Sequence, residues 1–562
     1  MSLVSKYVKV NYESYEDFLK NYRVRIPTNF NFAFDVIDKL ANISPLKKAM
    51  IWCNDRDEKK FFTFNDIKIE SNRTANFLKY LNIQKGDAVM LILKRRYEYW
   101  FFTIALHKLG AIVIPTTHLL TPRELKYRIK IANIKSIIAI NDDRILDIIN
   151  SVRKEPLPIT MKHFILVNGY SNNWINYTKE IKKFSETFER PTGEEETIIS
   201  DKFLLYFTSG TSGNPKMVCH DFSYPLGHIV TALFWQRLNY KSVHLTVADT
   251  GWAKASWGKL YGQWLCGACI FVYDYDRFNA KNLIKKIEKY KITSFCAPPT
   301  VYRYIIKENL SEYNLSKLQY AETAGETLNR EVFYKFKKIT GLEIKEAFGQ
   351  TESVVIAANF PWLKVKPGSV GKPSPGWKVD IVDKYNNSCE TGAYGRLIIR
   401  TSINKPIGLF TGYYKNKRLT TDVWQNGIYD TGDIAYKDED GYIWLMGRSD
   451  DIIKSSGYKI SPFEIENTLM EHPCVLECAI TGIPDKERGL LIKASIVLNK
   501  DYKASVKLMK NIQEHVKKNI SSYKYPRIIE FVNKLPKTIS GKIKRIDIRI
   551  SNEYKKNKKG KK

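Results

Sequence analysis

Residues 203–216 read FLLYFTSGTSGNPK, an apolar run followed by a glycine-rich and hydroxyl-rich loop that closes with a lysine. The glycines permit positive φ and close approach of the backbone to a ligand, the hydroxyls donate hydrogen bonds, and Lys216 adds a mobile charge. The apolar run is typical of a buried strand, and α/β folds bind ligands where such strands end. The pattern predicts a phosphate-binding loop formed by Thr208, Ser209, Gly210, Thr211, Ser212, Gly213 and Lys216.

Two better-known motifs do not match this loop. A Walker A loop has four residues between its glycines and then Gly-Lys-Ser/Thr. Here Gly210 and Gly213 are closer together, and Pro215 precedes the lysine. A nucleophile elbow that began at Gly210 would need a glycine where Asn214 stands. A solvated turn is the alternative for a short segment, but the pattern extends over residues 206–216, which favours a binding loop.

Three further motifs follow at a distance along the chain, at residues 348–352 (FGQTE), 429–433 (YDTGD) with 447–451 (GRSDD), and 536–543 (PKTISGKI). Together with the loop, and in this order, they resemble the signatures of the adenylate-forming superfamily. This superfamily comprises the AMP-forming acyl-CoA synthetases and their luciferase and peptide-synthetase relatives. Residues 248–252 (ADTGW), 297–300 (APPT) and 324–326 (AGE) extend the similarity to the medium-chain acyl-CoA synthetase branch. The resemblance covers the chain from about residue 45 to about residue 550.

Length and composition predict a multidomain α/β protein. A chain of 562 residues is too long for one core, and 44% hydrophobic with 13% aromatic residues supports large buried cores. Strand-like runs at residues 88–93 and 136–140 alternate with helical periods such as residues 121–132. This alternation predicts an α/β fold with substantial parallel sheet.

The resemblance implies a large multi-layer α/β amino-terminal domain and a small, mobile α+β carboxy-terminal domain. Polar residues 449–451 follow a strand-like run at 442–446, which makes them the expected hinge. We therefore assign residues 1–449 to an adenylation domain that binds ATP and the acyl group. Residues 450–550 form the mobile domain with the catalytic lysine, and residues 551–562 form a basic tail that is expected to be disordered.

The formal net charge of +31 raises a competing hypothesis, namely a protein that binds nucleic acid or a membrane surface. Residues 501–562 hold nineteen Lys and Arg against five Asp and Glu. A lysine-rich surface that attracts polyanions weakly is favoured over specific nucleic-acid binding, because the chain has no recognised nucleic-acid-binding motif. A positive field also suits an enzyme whose expected ligands, ATP, CoA and pyrophosphate, are polyanions.

Other composition signals concern location and metals. The longest apolar region, residues 101–115, is interrupted by His107 and Lys108, and the amino terminus has no apolar core of a signal peptide, which predicts a cytoplasmic protein without a transmembrane segment. The eight cysteines are expected to be buried free thiols, since Cys266 and Cys269 have no second pair at zinc-binding spacing. No structural metal is expected.

The resemblance implies substrates and site residues. Thr208 to Lys216 should hold the β- and γ-phosphates of ATP, and Thr351 and Glu352 should lie at the α-phosphate, with the Glu352 carboxylate helping to bind Mg²⁺. Asp433 should accept both ribose hydroxyls. The remaining expected nucleotide contacts are Gly325, Glu326, Glu346, Phe348, Gln350, Arg448 and Lys459.

The carboxy-terminal domain is expected to supply residues for both steps of the reaction. Lys542 is the expected catalytic residue of adenylate formation, together with Thr208 and Glu352, because its charge can neutralise negative charge between the carboxylate and the α-phosphate. After rotation about Asp450, the segment 456–459 (SGYK) should replace it. Gly457, which follows Ser456, would then leave room for the pantetheine arm of coenzyme A, and Lys459 would contact phosphate where many relatives have arginine.

The acyl pocket is expected at Trp252, Lys254, Trp257 and Gly349. Acetate-specific relatives carry tryptophan where this chain has Gly349, which predicts a pocket deeper than acetate needs, although Trp257 could shorten or bend it. Lys254 could meet a polar acyl group or the substrate carboxylate, or extend to solvent. A medium-chain or branched aliphatic acid is the first choice, with short-chain and aryl acids as alternatives.

The resulting hypothesis is an ATP-dependent acyl-CoA synthetase. It joins an acid and ATP to acyl-AMP with release of pyrophosphate, and CoA then displaces AMP to form acyl-CoA. The remaining alternatives are acyl transfer to a carrier protein and a polyanion-binding protein. The sequence does not indicate the oligomeric state.

Overall fold

The structure of the protein, a computed structural model, describes residues 3–208, 215–326, 328–455, 458–485, 489–521, 524–537 and 543–551. Its strands are β1 Lys48–Asn54, β2 Lys59–Thr63, β3 Ala88–Ile92, β4 Ile112–Pro115, β5 Ile134–Ala139, β6 His163–Leu166, β7 Ile175–Asn176, β8 Lys202–Thr208, β9 Lys216–Asp221, β10 Val243–Thr246, β11 Cys269–Asp274, β12 Ser294–Cys296, β13 Tyr320–Ala324, β14 Ile344–Phe348, β15 Ala357–Ala358, β16 Lys372–Pro373, β17 Lys378–Val382, β18 Gly395–Arg400, β19 Gly412–Tyr413, β20 Trp424–Gln425, β21 Ile428–Lys437, β22 Ile443–Arg448, β23 Ile453–Ser455, β24 Tyr458–Ile460, β25 Val475–Asp485, β26 Gly489–Leu498 and β27 Ile528–Phe531.

The α-helices lie between these strands, except α1 and α2, which precede β1. They are α1 Tyr15–Asn21, α2 Lys39–Ile43, α3 Phe64–Tyr80, α4 Glu98–Lys108, α5 Pro122–Ala132, α6 Asp143–Arg153, α7 Tyr177–Glu180, α8 Tyr224–Ile229, α9 Ala253–Gly258, α10 Tyr261–Leu265, α11 Ala280–Lys289, α12 Pro299–Ile305, α13 Arg330–Thr340, α14 Lys417–Val423, α15 Pro462–Met470 and α16 Val506–Asn519.

Two large sheets dominate the part of the chain before residue 450. One has nine strands in the order β16-β15-β14-β13-β12-β10-β11-β1-β2, and the other has eight in the order β19-β9-β8-β4-β3-β5-β6-β7. Most neighbouring strands in both are parallel, as the alternation of strand-like and helical segments predicts. The predicted α/β fold class is therefore confirmed.

Local sequence explains why the helix α5 has the bounds that its apolar pattern predicts. Thr121 caps the amino end in a reciprocal capping box with Glu124, and Pro122 occupies the first turn, where its missing N–H costs nothing. Asn133 ends the helix in the left-handed conformation. Leu125, Arg128, Ile129 and Ala132 form its buried face.

A smaller antiparallel sheet of β17, β18, β20, β21 and β22 follows, and a fourth sheet of β23 to β27 completes the fold. The fourth sheet has its own core, which includes Ile453, Ile480 and Ile529. This core begins just after the predicted boundary at residues 449/450, and the boundary itself stays a prediction. Residues 552–562 of the predicted basic tail lie outside the described part of the chain.

All eight cysteines lie in the described residues, and none of them forms a disulfide, as predicted. Seven of the eight are buried and Cys389 is partly buried. Burial raises the pKa of the Cys266 and Cys269 thiols to about 12. Both thiols therefore stay protonated, as expected for core residues. No helix in the described ranges is long and apolar enough to cross a membrane.

Candidate active site

The β8–β9 hairpin presents the two ends of the predicted phosphate loop. The apolar run 203–207 lies within β8, which ends at Thr208, and Thr208 faces Lys216 across the hairpin. The intervening residues Ser209, Gly210, Thr211, Ser212 and Gly213 lie outside the described residues. Thr208 and Lys216 therefore give the position of the loop, at the end of a buried strand as the sequence predicts.

Lys216 and Glu352 are joined through a tyrosine that the sequence analysis missed. The Lys216 Nζ lies 5.2 Å from the centroid of the Tyr413 ring, and the Tyr413 hydroxyl donates to Glu352 Oε1 at 2.8 Å. Tyr413 reaches this position because β19 pairs with β9 next to the loop. Burial raises its pKa, so the phenol stays protonated and acts as a donor. One carboxylate oxygen of Glu352 is thus held, and the group is oriented beside a cation.

The loop after β14 also contacts the eight-stranded sheet. His220 Nε2 donates to the carbonyl oxygen of Thr351 at 2.8 Å, and the His220 and Tyr224 rings lie 3.9 Å apart. Burial lowers the pKa of His220 to about 3, so it is a neutral donor that holds Thr351. In sequence His220 is one polar residue within a buried strand, and no local signal distinguishes it from a core histidine.

Gln350 connects the same loop to the antiparallel sheet. Its Nε2 donates to the Thr431 carbonyl oxygen and to Asp433 Oδ2, both at 2.7 Å, and its Oε1 accepts from the Tyr429 hydroxyl at 2.7 Å. All polar atoms of the Gln350 side chain thus have partners. This arrangement holds the Asp433 carboxylate, the predicted ribose acceptor, at a set distance from the 348–352 motif.

Arg448 approaches the same carboxylate from the neighbouring strand. Asp433 and Arg448 are paired between β21 and β22, with Arg448 Nη1 3.5 Å from Asp433 Oδ2 and 2.7 Å from the Thr431 carbonyl oxygen. Arg448 Nε lies 4.0 Å from Asp450 Oδ1 at the predicted hinge. The structure therefore places three predicted residues, Asp433, Arg448 and Asp450, in one charged group.

The predicted adenine residues lie at the ends of neighbouring parallel strands. Phe348 ends β14, and Gly325 and Glu326 follow β13, with Gly325 at φ +99°. Glu326 Oε2 accepts from the Thr300 hydroxyl at 3.2 Å. Phe348 is 8% exposed, so it is largely buried at this end of the sheet.

Glu346 is buried, and its carboxylate is bound by the protein backbone. It is 2% exposed, and its two carboxylate oxygens accept from the backbone N–H groups of Leu328 and Gly368, each at 2.9 Å. Burial raises its pKa to about 8. Its contacts support the loops at residues 328 and 368, and a nucleotide contact by Glu346 stays a prediction.

The predicted acyl-pocket residues lie together, but Gly349 does not leave the open space expected of it. A Cβ on Gly349 would lie 2.2 Å from Trp257 Cη2 and 2.6 Å from the Val354 carbonyl oxygen. The space that glycine was expected to leave open is therefore filled by the Trp257 indole. The alternative that Trp257 limits the pocket agrees with this geometry, because the two residues are in direct contact.

Trp252 and Lys254 stand at the start of the same helix, α9. Trp252 occupies the N-cap position, and Lys254 Nζ donates to the Ala324 carbonyl oxygen at 2.9 Å. Ala324 is the last residue of β13, directly before Gly325 and Glu326. Lys254 therefore ties helix α9 of the predicted acyl pocket to the predicted adenine loop, a contact that the sequence analysis did not anticipate.

The carboxy-terminal contributions are partly outside the described residues. Ser456, Gly457 and Lys542 lie outside them, as does the side chain of Lys459. The hinge region itself is described. Asp451 binds Arg545 at 3.3 Å and also Arg549, and Arg545 lies 2.6 Å from Glu466. The residue after Asp450 is thus already fixed to the carboxy-terminal domain.

The chain is similar to known proteins over most of its length. Residues 37–414 match the model of the AMP-binding enzyme family, and residues 464–542 match that of the AMP-binding enzyme C-terminal domain. Acyl-coenzyme A synthetase ACSM3, mitochondrial, of Mus musculus is 39% identical, over 96% of this chain and 93% of that protein. Acyl-coenzyme A synthetase ACSM5, mitochondrial, of Homo sapiens is 38% identical over 94% and 91%.

Solved structures extend the comparison to the whole fold. The crystal structure of the anthranilate CoA ligase AuaEII in complex with anthranoyl-AMP is 29% identical, covers 95% of this chain and 99% of that one, and has a TM-score of 0.86. The Brucella canis acyl-CoA synthetase is 28% identical over 97% and 100%, with a TM-score of 0.73. The chain therefore belongs to the AMP-binding enzymes and, among them, to the acyl-coenzyme A synthetases.

Proposed function

We propose that this chain is an ATP-dependent acyl-CoA synthetase that works in two steps. A carboxylate oxygen attacks the α-phosphorus of ATP, which forms acyl-AMP and releases pyrophosphate. The thiol of coenzyme A then attacks the acyl carbon, and AMP leaves. The observation that carries this proposal is the contact of the 348–352 motif with two other sheets, through Thr351 to His220 and Gln350 to Asp433.

The first step needs positive charge and fixed orientation around the phosphates. Lys216 lies beside the loop expected to hold the β- and γ-phosphates, and Glu352 lies beside Lys216 through Tyr413. With one oxygen held by Tyr413, Glu352 retains lone pairs for a hard cation, so the donor set fits Mg²⁺. The ion would neutralise phosphate charge, and Glu352 would hold it at the α-phosphate.

Asp433 and Arg448 are proposed to hold the ribose. A carboxylate can accept hydrogen bonds from two neighbouring hydroxyls, and Gln350 and Arg448 orient that of Asp433. We further propose that Lys542 serves the first step and that rotation about Asp450 brings Ser456, Gly457 and Lys459 to the site for the second. The contacts of Asp451 with Arg545 and Arg549 support a pivot at Asp450, since they join Asp451 to the moving part.

For the acid we propose a medium-chain or branched aliphatic substrate. Trp257 rather than residue 349 is proposed to set the length of the pocket, because its indole occupies the space next to Gly349. Short-chain and aryl acids stay as alternatives, and one structural relative is an anthranilate CoA ligase. The cytoplasmic location also stays a proposal, whereas two relatives carry the word mitochondrial in their names.

A pyrophosphate-release panel tests the proposal. Acids of two to ten carbons and benzoate are compared, with the primary alcohol of the same length as the control for each acid. We expect release that depends on the acid and thioester formation when free coenzyme A is added. Pyrophosphate release without thioester would instead support acyl transfer to a carrier protein. No acid-dependent release with any acid would contradict the proposed function.

A further inference from the structure

Arg128 is a buried arginine that the proposed mechanism does not use. It lies on the sheet-facing side of α5 and is 6% exposed. Its neighbours on that face of the helix, Leu125 and Ile129, are apolar and fully buried. An arginine in such surroundings normally pairs with an acid, because removing its charge from water is costly.

Within the described ranges, no hydrogen bond or ion pair joins the Arg128 guanidinium to another residue, and its Nε is buried without a partner. The acid one turn earlier, Glu124, is occupied in the capping box, where it accepts from the backbone N–H and the hydroxyl of Thr121 at 2.8 and 2.9 Å. The guanidinium carbon instead lies 4.7 Å from the centroid of the Phe207 ring. A cation–π contact compensates only part of the lost hydration.

Burial lowers the pKa of Arg128 to about 10, which still leaves the group protonated at neutral pH. Arg128 therefore carries a positive charge inside the protein. The acid on the same helix, Glu124, is bound to Thr121 instead. An anion that binds nearby would supply the missing partner, and the interaction would be strong because the surroundings have a low dielectric constant.

The place where an anion would bind follows from Phe207. This residue directly precedes Thr208, the first residue of the predicted phosphate loop, and consecutive α-carbons are about 3.8 Å apart. Thr208 pairs with Lys216 at the other end of the loop. Arg128 thus lies behind the strand end that carries the loop.

We propose that Arg128 is a positioning residue for the pyrophosphate half of ATP. It holds Phe207, and with it the start of the loop, while its buried charge stabilises the bound β- and γ-phosphates. This role rests on the proposed function, since it requires ATP as the substrate. It predicts that Arg128 matters when pyrophosphate is present and not when acyl-AMP reacts with coenzyme A.

The matched control is Arg153 on the neighbouring helix α6. Its guanidinium also stacks on a phenylalanine of the same sheet, 4.2 Å from the centroid of the Phe164 ring. In contrast to Arg128, it donates to the Asn173 carbonyl oxygen at 3.0 Å. β6, which carries Phe164, is separated from β8 by β4, β3 and β5. Arg153 therefore has the same type of contact away from the phosphate loop.

The experiment measures the two half-reactions separately in wild type, Arg128→Met, Arg128→Lys and Arg153→Met. The first is acid-dependent exchange of labelled pyrophosphate into ATP, and the second is thioester formation from supplied acyl-AMP and coenzyme A. We expect Arg128→Met to raise the KM for ATP and the inhibition constant of pyrophosphate on the order of tenfold, with the second half-reaction unchanged. Arg128→Lys, which keeps the charge but stacks poorly, should give a smaller rise.

Arg153→Met should behave as wild type in both half-reactions. Equal slowing of both half-reactions by Arg128→Met would show a merely structural role and overturn the inference, as would wild-type kinetics in that variant. If Arg128→Met does not fold, the same comparison of the two half-reactions is made with Arg128→Lys, and its result decides the inference. Wild-type enzyme without acid-dependent exchange would contradict the proposed function itself, and the two failures are thus distinguished.

Discussion

The indole of Trp257 lies against the α-carbon of Gly349, so close that a Cβ on residue 349 would be 2.2 Å from Trp257 Cη2. The two residues come from different elements, α9 and the loop after β14. Glycine at 349 is therefore the complement of tryptophan at 257, and the pair must be considered together when the acyl site is altered.

The first prediction concerns this pair. Trp257→Leu should open the site and raise kcat/KM for octanoate relative to butyrate by up to roughly a hundredfold, since each buried methylene contributes about 0.8 kcal/mol. Gly349→Trp should lower activity with all acids, because the new side chain meets the Trp257 indole and the Val354 backbone. The measurement is kcat/KM for acetate, butyrate, 2-methylbutyrate and octanoate. A shift towards acetate in Gly349→Trp would instead restore the simple pocket-depth model.

The second prediction concerns Lys542. Lys542→Ala should lower acid-dependent pyrophosphate release by about a hundredfold or more, because a cation that stabilises the transition state is lost. Conversion of supplied acyl-AMP and coenzyme A to thioester should stay largely intact, since Lys542 is expected to leave the site after the first step. Lys544→Ala in the same basic segment is the control. Equal loss of both half-reactions in Lys542→Ala would contradict the expected exchange of segments.

The third prediction concerns Gly457, where we expect loss of the second half-reaction and not of the first. Gly457→Leu should block thioester formation while acid-dependent pyrophosphate release continues, because a side chain there would obstruct the path of the thiol without touching the adenylation geometry. Both half-reactions are measured with the same acid. Normal thioester formation by this variant would show that the pantetheine arm does not pass residue 457.

The fourth prediction concerns Gln350. Gln350→Ala removes the donor to Asp433 Oδ2 and leaves the Tyr429 hydroxyl without its acceptor. We expect the KM for ATP to rise by about tenfold, the scale of one lost hydrogen bond to a charged group. Gln425→Ala, an exposed glutamine of the same sheet, should change nothing. An unchanged KM in Gln350→Ala would mean that the Gln350 amide is not needed to orient Asp433.

The fifth prediction concerns pH. Burial lowers the pKa of His220 to about 3 in the folded protein, against 6.5 ordinarily. Between these values only the unfolded chain takes up the proton, so the free energy of unfolding should fall as the pH drops below about 6.5. The contribution of one such group is at most about 1.4 kcal/mol per pH unit. Thermal unfolding of wild type and His220→Gln at pH 4.5 to 8 should show a shallower dependence in the variant. Equal slopes would refute this assignment to His220.

Much of the fold follows from local patterns. The run 203–207 predicts β8, and the capping box of Thr121 and Glu124 predicts where α5 begins. Such signals are readable because they act over a few residues, through hydrogen bonds and steric preferences of the chain itself. The hydroxyl-rich and glycine-rich loop similarly indicates phosphate binding by its residue types alone.

The sequence by itself thus determined the α/β class and the family, and it predicts which motif residues face the nucleotide. Only the tertiary structure decided how these residues are held: Tyr413 bonds Glu352 from 61 positions away, His220 bonds Thr351 from 131 positions away, and Trp257 fills the space beside Gly349. These contacts depend on which strands become neighbours, and side-chain burial then determines which atoms can meet. No local pattern specifies such distances, so an ordinary tyrosine, histidine or arginine acquires its role only in the folded chain.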